Sequence, residues 1–241
     1  MTLGASGAVA GGRPLLIVTG LFSEARIAAG PGMTVICSSS DPDQLRAQLE
    51  AFDHASVRGI ISFGIAGGLD PSLRAGDLVV ANEIMTGDRR YATAPALSEN
   101  LVERTNIGRR RIVGGTIFGA EEIILDPRDK VQLHEDTGAT AVDMESHIAA
   151  AYAASVGLPF AAVRVINDPA SRSLPALALN ALKPNGDIDP RKVLRGLARK
   201  PSVIPSLMRT AHDFNRAIVT LRRARSLLLE SSSVRLVAAD I

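Results

Sequence analysis

Short apolar runs alternate with amphipathic stretches along most of the chain, which is typical of an α/β domain built on a central sheet. Seven apolar runs predict strands, at residues 14–20, 32–37, 58–64, 77–84, 112–118, 141–143 and 159–166. Helices are predicted at 23–29, from Asp41, at 126–134, at 148–154 and from Ile204, where apolar positions share one face that should pack on the sheet.

With 241 residues, the chain suits one large domain. We expect residues 1–13 to form a flexible leader, residues 14–229 the folded domain and residues 230–241 a tail. Within the domain, residues 171–229 form a Pro-punctuated, basic and helical segment.

Composition excludes several classes of protein. Aromatic residues are only 3% of the chain, which argues against a platform that stacks single-stranded nucleic acid. The single cysteine, Cys37, excludes a disulfide scaffold and a zinc site of several thiolates, and it fits a reducing compartment. No apolar run is long enough to span a membrane, so we expect a cytoplasmic protein.

The net charge of +2 is unevenly distributed. Residues 191–225 contain ten Lys or Arg but one acid, Asp213. Such a basic segment is suited to anionic phosphates, either at the inner membrane surface or in nucleic acid. A solvated basic helix face explains it equally well.

A glycine cluster, GIAGG at residues 64–68, follows the third predicted strand. It contains Ala66, Gly67 and Gly68, where a bare backbone lets a ligand approach closely. Neither a dinucleotide fingerprint nor a phosphate-binding P-loop is present. By itself the cluster favours a tight structural turn over a ligand loop.

Two carboxylates flank a methionine at the end of a short strand. If the chain stays extended, Asp143 and Glu145 point to one side and Met144 to the other. Ligands of open α/β sheets bind at the carboxyl ends of strands, where a glutamate can bind a diol. The alternative is that both acids cap the following helix.

The last predicted strand delivers Asn167 and Asp168 at its carboxyl end. An aspartic acid that is partly desolvated there can hold its proton and act as a general acid. The alternative is an Asx turn before Pro169.

The first strand turns into a helix at GLFSEAR, residues 20–26. Gly20, Glu24 and Arg26 place a candidate base and a candidate anion-binding group in the same crevice. An ordinary charge pair on a surface helix explains the pattern equally well.

Taken together, these segments resemble one family. Residues 62–84 (SFGIAGGLDPSLRAGDLVVANEI), residues 141–170 and, more loosely, residues 18–28 are similar to the superfamily of purine nucleoside phosphorylases and methylthioadenosine/adenosylhomocysteine nucleosidases. Residues 171–217 resemble its hopanoid-associated branch, whose members are taken to remove adenine from adenosylhopane. The resemblance implies a three-layer α/β/α sandwich with a central mixed twisted sheet.

The resemblance also implies roles. Glu145 corresponds to the acid that binds the ribose 2′- and 3′-hydroxyls, and Met144 to the methionine packed on the sugar. Asp168 corresponds to the general acid at purine N7. Gly67 and Gly68 belong to the loop beneath the ribosyl centre.

Three positions depart from the family pattern. Ile65 stands where hydrolases of the family have a serine. Glu24 lies one residue early for the glutamate that activates water, and near the position of a phosphorylase arginine, which leaves Arg26 and Gly20 as candidates for phosphate. Glu121 and Glu122 stand where the family has an aromatic residue. Hydrolysis and phosphorolysis therefore stay open.

We expect an enzyme that cleaves the N-glycosidic bond of adenosylhopane, giving adenine and ribosylhopane or its 1-phosphate. The alternatives are a methylthioadenosine/adenosylhomocysteine nucleosidase and a nucleoside- or lipid-binding protein without catalysis. No metal and no cofactor are expected, with phosphate as an optional co-substrate. The expected partners are a lipid-linked nucleoside, an anionic membrane surface and a second copy of the chain in a homodimer, but not nucleic acid.

Overall fold

The computed structural model describes residues 12–95, 110–173, 189, 191–193, 195 and 200–233. Most of the predicted leader, residues 174–188 of the Pro-punctuated segment and residues 234–241 lie outside these ranges, so the division into leader, domain and tail stays a prediction. Of the helices in the described ranges, none combines the length and the apolar character needed to cross a membrane.

Eight strands of the described chain form one mixed sheet. They are β1 Leu15–Thr19, β2 Met33–Cys37, β3 Ile60–Gly68, β4 Leu78–Thr86, β5 Arg89–Ala92, β6 Ile112–Gly119, β7 Ala141–Asp143 and β8 Phe160–Asp168. At one edge β2, β1 and β3 run parallel, and at the other β4 and β5 form an antiparallel pair. The mixed sheet implied by the resemblance is confirmed.

The middle of the sheet closes into a ring of strand pairs. β3 pairs with β8, β8 with β4, β4 with β6, β6 with β7, and β7 returns to β3. The register between β3 and β8 shifts between Ala66 and Gly67, and Gly67 also pairs with Val142 of β7. The carboxyl end of β8 therefore lies beside the end of β3 on one side, and the short antiparallel strand β7 lies beside it on the other.

Five α-helices surround the sheet in the described ranges: α1 Phe22–Ala28, α2 Pro42–Glu50, α3 Pro127–Thr137, α4 Ser146–Val156 and α5 Ile204–Ser233. The starts of α2 and α3 are encoded locally. Asp41 and Asp126 cap them by accepting hydrogen bonds from backbone N–H groups, and a proline follows each cap. Both predicted starts are confirmed, and α3 continues three residues beyond the predicted end.

The two faces of the sheet carry separate apolar layers. On β1, Leu15 and Ile17 pack with residues of α1 and α5, whereas Leu16 and Val18 pack with residues of α2 and α4. This alternation follows from the two-residue period of a strand. It produces the expected order of helix layer, sheet and helix layer.

Only part of α5 packs as predicted. Ala217, Leu221 and Leu228 are fully buried against the α1 side of the sheet, but Ile204 and Met208 are 41% and 68% exposed. The expectation of one continuous buried face from Ile204 is therefore wrong for the first turns. Asp213 is the first residue of α5 with a buried side chain. Its carboxylate lies 3.1 Å from Nη1 of Arg172.

The glycine cluster and β5 differ from the sequence-based expectation. Residues 64–68 form the second half of β3 instead of a turn after it. A Cβ at Gly64 would lie 2.5 Å from Nη1 of Arg164, so glycine is needed there for close approach and not for a turn. β5 was missed because its sequence, RRYA, is mostly exposed and has no apolar alternation.

Candidate active site

The carboxylate of Asp168 lies at the end of β8 beside a buried lysine. Lys130 of α3 is fully buried, and its ammonium donates to Oδ2 of Asp168 and, at 3.1 Å, to the carbonyl of Arg172. Burial raises the pKa of Asp168 above its ordinary value, although the nearby ammonium of Lys130 opposes this. Asp168 is therefore a candidate proton donor with a positive charge directly behind it.

Asn167 provides a second polar group at this end. Its Nδ2 atom lies 3.3 Å from Oδ1 of Asp168, while its Oδ1 atom is buried with no hydrogen-bond partner in the described ranges. A buried acceptor without a partner is costly, so it favours a ligand that brings an N–H or O–H donor.

A second group of acids surrounds Arg164, a fully buried residue of β8. Its Nε atom lies 2.5 Å from Oδ2 of Asp143, and its Nη2 atom lies 3.3 Å from Oε2 of Glu145. The same Nη2 atom donates to the hydroxyl of Ser62 at 2.7 Å. A charged side chain this deeply buried needs such partners. Arg164 therefore fixes the position of Glu145.

Asp143 and Glu145 have different surroundings, contrary to the extended-strand prediction. The chain leaves the β conformation after Asp143, and Glu145 adopts helical backbone angles at the start of α4. Asp143 caps this helix by accepting from the backbone N–H of Ser146 at 3.0 Å and also from its hydroxyl. With Arg164 as a further partner, Asp143 is occupied by the protein, so the capping alternative describes it better than substrate binding.

The surroundings of Glu145 favour the protonated, neutral form of its carboxyl group. Burial raises its pKa to about 8, with the carboxylates of Asp143 and Glu24 adding to the rise and the guanidinium of Arg164 opposing it. Met144 precedes it in the turn between β7 and α4 and is half-buried.

Glu24 is also buried and belongs to the same group. Its Oε2 atom accepts hydrogen bonds from the backbone N–H groups of Gly20 and Leu21, both at 2.9 Å, and its Oε1 atom from that of Ile65 at 2.8 Å. Burial raises the pKa of Glu24, while Arg164 and these N–H groups lower it. A Cβ at Gly20 would overlap Oε1 of Glu145, so this glycine leaves room for the carboxyl groups of Glu24 and Glu145 on either side of it.

β3 connects the two groups of acids. A Cβ at Gly64 would lie 2.8 Å from the carboxyl carbon of Glu24, whereas one at Gly67 would lie 3.4 Å from Oδ2 of Asp168. Three residues of a strand span about 10 Å. Asp168 therefore lies at one end of this stretch of β3, and Glu24 with Glu145 lies at the other; the stretch of β3 with these three acids is called the crevice below.

Two other residues of the glycine cluster also belong to β3, Ala66 between Gly64 and Gly67 and Gly68 after them. Ala66 is buried, and Gly68 packs on Ile166 and Pro169, where a Cβ would lie 3.2 Å and 3.4 Å away.

Arg26 is not brought to the crevice. It is exposed, whereas Glu24 is 1% exposed, because positions two apart on a helix point about 200° from each other. The prediction that the two share one crevice is wrong for this reason. Gly20 does lie at the crevice, but beside two carboxylates that would repel phosphate.

Glu121 faces another part of the molecule. Its carboxylate lies 2.5 Å from Nη2 of Arg46 and 3.1 Å from Nε2 of His147. These three side chains line a cavity of about 720 Å³ between α2, α4 and the β4–β5 hairpin, and neither Asp168 nor Glu145 lines it.

Two members of the site were missed from the sequence. Arg164 interrupts an otherwise apolar buried strand, and that interruption was the available signal, since a charge there requires buried partners. Lys130 gave no signal, because it lies among the charged residues PRDK at the start of an amphipathic helix. In the described ranges, no three His, Cys, Asp or Glu side chains are grouped as metal ligands.

A fold of this kind, with buried acids at the carboxyl ends of central strands, defines a class of ligand-binding α/β proteins. The family model of the phosphorylase superfamily matches residues 5–178, and the chain belongs to that superfamily.

Two individual relatives are identical to this chain at fewer than a third of the aligned residues. The 5′-methylthioadenosine/S-adenosylhomocysteine nucleosidase of Mycobacterium tuberculosis is 27% identical over 155 residues, which are 48% of this chain and 61% of that protein. The corresponding nucleosidase of Geobacillus kaustophilus is 31% identical over 135 residues, covering 48% of this chain and 57% of the relative. The chain thus spans about three fifths of the length of these curated relatives.

Among solved structures, the 5′-methylthioadenosine/S-adenosylhomocysteine nucleosidase of Helicobacter pylori with butyl-thio-DADMe-Immucillin-A has a TM-score of 0.64. It is 15% identical, and the match covers 92% of this chain and 97% of that one. At this identity the likeness concerns the fold alone.

Proposed function

We propose that this chain hydrolyses the N-glycosidic bond of an adenosine-type nucleoside. The observation that carries the proposal is the crevice along β3, with Asp168 at one end and Glu145 with Glu24 at the other, about 10 Å apart by strand geometry. Cleavage of this bond needs a proton donor at the base and negative charge near the sugar. The names of the relatives support a nucleosidase.

At the base end, Asp168 donates a proton to N7 of the purine. Burial favours its protonated form, and after donation the new carboxylate is stabilised by the ammonium of Lys130. The Oδ1 atom of Asn167, which lacks a partner, accepts a hydrogen bond from an N–H group of the base. General acid catalysis of this kind contributes roughly 10²–10⁴-fold to the rate.

At the sugar end, Glu145 accepts hydrogen bonds from the 2′- and 3′-hydroxyls and Met144 packs on the ring. Arg164 orients the carboxylate from behind. Once it has lost the proton that burial retains up to about pH 8, Glu145 favours the positive charge that develops on the sugar as the bond to the base breaks. This interaction strengthens in the transition state, so it serves catalysis as well as binding.

Water is the proposed nucleophile, with Glu24 as the residue that positions it and accepts the proton that it loses on forming the bond to the sugar. A carboxylate has about four acceptor sites, and backbone N–H groups occupy three of those of Glu24. The remaining site is free for a water molecule. Phosphate is disfavoured as co-substrate because the crevice holds two carboxyl groups and Arg26 lies outside it. No metal or other cofactor enters this scheme.

The proposed substrate is adenosylhopane, on the resemblance of residues 171–217 to the hopanoid-associated branch. Ile204 and Met208 belong to this segment, and their exposed side chains support an apolar partner. We further propose a cytoplasmic homodimer in which the basic residues between 191 and 225 contact an anionic membrane surface. The second candidate is a methylthioadenosine/adenosylhomocysteine nucleosidase, which the relatives' names favour.

Adenine release by the purified chain tests both candidates. Adenosylhopane, methylthioadenosine and adenosylhomocysteine are compared at equal concentration, with Asp168→Asn as the matched inactive variant. A larger kcat/KM for adenosylhopane supports the first candidate, and the reverse order supports the second. Absence of adenine from all three overturns the proposed activity.

A further inference from the structure

A basic pocket of about 460 Å³ lies between α1 and α5, away from the crevice. Neither Glu24 nor Asp168 lines this α1–α5 pocket. Its lining consists of Ser23, Arg26 and Ile27 of α1 with Ile218, Arg222 and Arg225 of α5.

Within the described part of the chain, the three arginines of the pocket lack acidic partners. Among the side chains that the structure describes, no carboxylate forms an ion pair with Arg26, Arg222 or Arg225. Arg225 donates from Nη2 to the carbonyl of Ala29 at 2.8 Å, and its Nε atom is buried with no hydrogen-bond partner among the residues that the structure describes. Guanidinium groups around one pocket repel each other, so an anion between them would stabilise the structure.

The other lining groups indicate what kind of anion fits. Ser23 offers a hydroxyl donor, while Ile27 and Ile218 are buried and apolar. Arginine binds phosphate oxygens through paired N–H groups, and three arginines can reach three oxygens of one group. The volume lies within the range of roughly 300–1,000 Å³ for small-molecule sites, which leaves room for the organic part of a phosphate ester.

We propose that the α1–α5 pocket binds a phosphate group. This site is separate from the crevice and does not depend on the proposed hydrolysis. A soluble phosphate ester and the headgroup of an anionic lipid present the same chemistry, and the test below distinguishes them.

The test uses the full chain and two probes. The first is inorganic phosphate, measured by the rise in the midpoint of thermal unfolding against chloride at equal ionic strength, because a ligand of the native state stabilises it. The second is co-sedimentation with phosphatidylglycerol vesicles against phosphatidylcholine vesicles. The variants are Arg26→Gln and Arg222→Gln, with Arg223→Gln as control, since Arg223 is exposed on the same helix but does not line the pocket.

Each pocket variant loses one charge-assisted contact, so its binding should be weaker by about tenfold or more. The control should bind nearly as well as wild type. If this holds for inorganic phosphate alone, the ligand is a soluble phosphate compound. If it holds for phosphatidylglycerol vesicles, the ligand is a lipid headgroup. Equal effects of Arg222→Gln and Arg223→Gln, or no binding of either probe, overturn the proposal.

Discussion

The ammonium of Lys130, on α3, is buried against the carboxylate of Asp168 at the end of β8. Lys130 is fully buried, and the side chain of Asp168 is 10% exposed. Both charges are largely removed from bulk water, so each depends on the other for its stability. The same contact places a cation behind the group that we propose as the proton donor.

This ion pair predicts strong coupling between two substitutions. At a pH where Asp168 is ionised, Lys130→Met and Asp168→Asn should each lower the free energy of unfolding by about 3–5 kcal/mol, because each leaves the other charge buried and unpaired. The double variant should be destabilised by clearly less than the sum, which denaturant unfolding of the four proteins measures. Additive losses would show that the two side chains do not form a pair.

Asp168→Asn should also separate binding from catalysis. An amide cannot donate a proton to N7 as a carboxylic acid does, so turnover should fall by about 10²-fold or more. Binding of the intact nucleoside should change little, because the polar atoms keep their places. Calorimetric titration and single-turnover kinetics measure the two effects, and a turnover near that of wild type would exclude Asp168 as the acid.

How far the sequence predicted the structure depends on the kind of signal. Seven strands and the starts of α2 and α3 were predictable, because apolar runs and Asp-Pro caps are local features. β5 was not, since its exposed residues lack a pattern. The turn predicted at residues 64–68 was wrong because glycines at a crowded strand and glycines at a turn look alike in sequence.

The residues of the site were likewise predictable only where the signal was local in sequence. Asp168, Glu145 and Glu24 could be named as candidates from the strand ends that carry them. Lys130 depends on a pairing between distant segments, which no local pattern reports. Arg164 was visible only as a charge within an apolar strand, and that charge did not identify its partners.

The proposed contact of Glu145 with the sugar hydroxyls predicts a substrate-dependent effect. Glu145→Gln should lower kcat/KM for a ribonucleoside, because the charge-assisted hydrogen bonds to the diol are lost. The same substitution should have little effect on the 2′,3′-dideoxy analogue. An equal loss for both substrates would mean that Glu145 acts elsewhere.

The raised pKa of Glu145 predicts a pH dependence of stability. Between about pH 4.5 and 8 the folded protein holds a proton on Glu145 that the unfolded chain releases. This group therefore makes stability fall as the pH rises through that window, with no further change above it. Unfolding of Glu145→Gln should show a weaker decline than wild type over the same range, and parallel curves for the two proteins would contradict the raised pKa.

The central claim is hydrolysis of the glycosidic bond with water positioned by Glu24. The most direct measurement is mass spectrometry of the sugar product formed in oxygen-18 water with phosphate present. We predict free adenine and an equal amount of free sugar product that carries the heavy oxygen. Glu24→Gln should slow its formation, whereas Glu135→Gln, at an exposed glutamate of α3, should not. A sugar 1-phosphate without the label, or no adenine at all, would contradict the account.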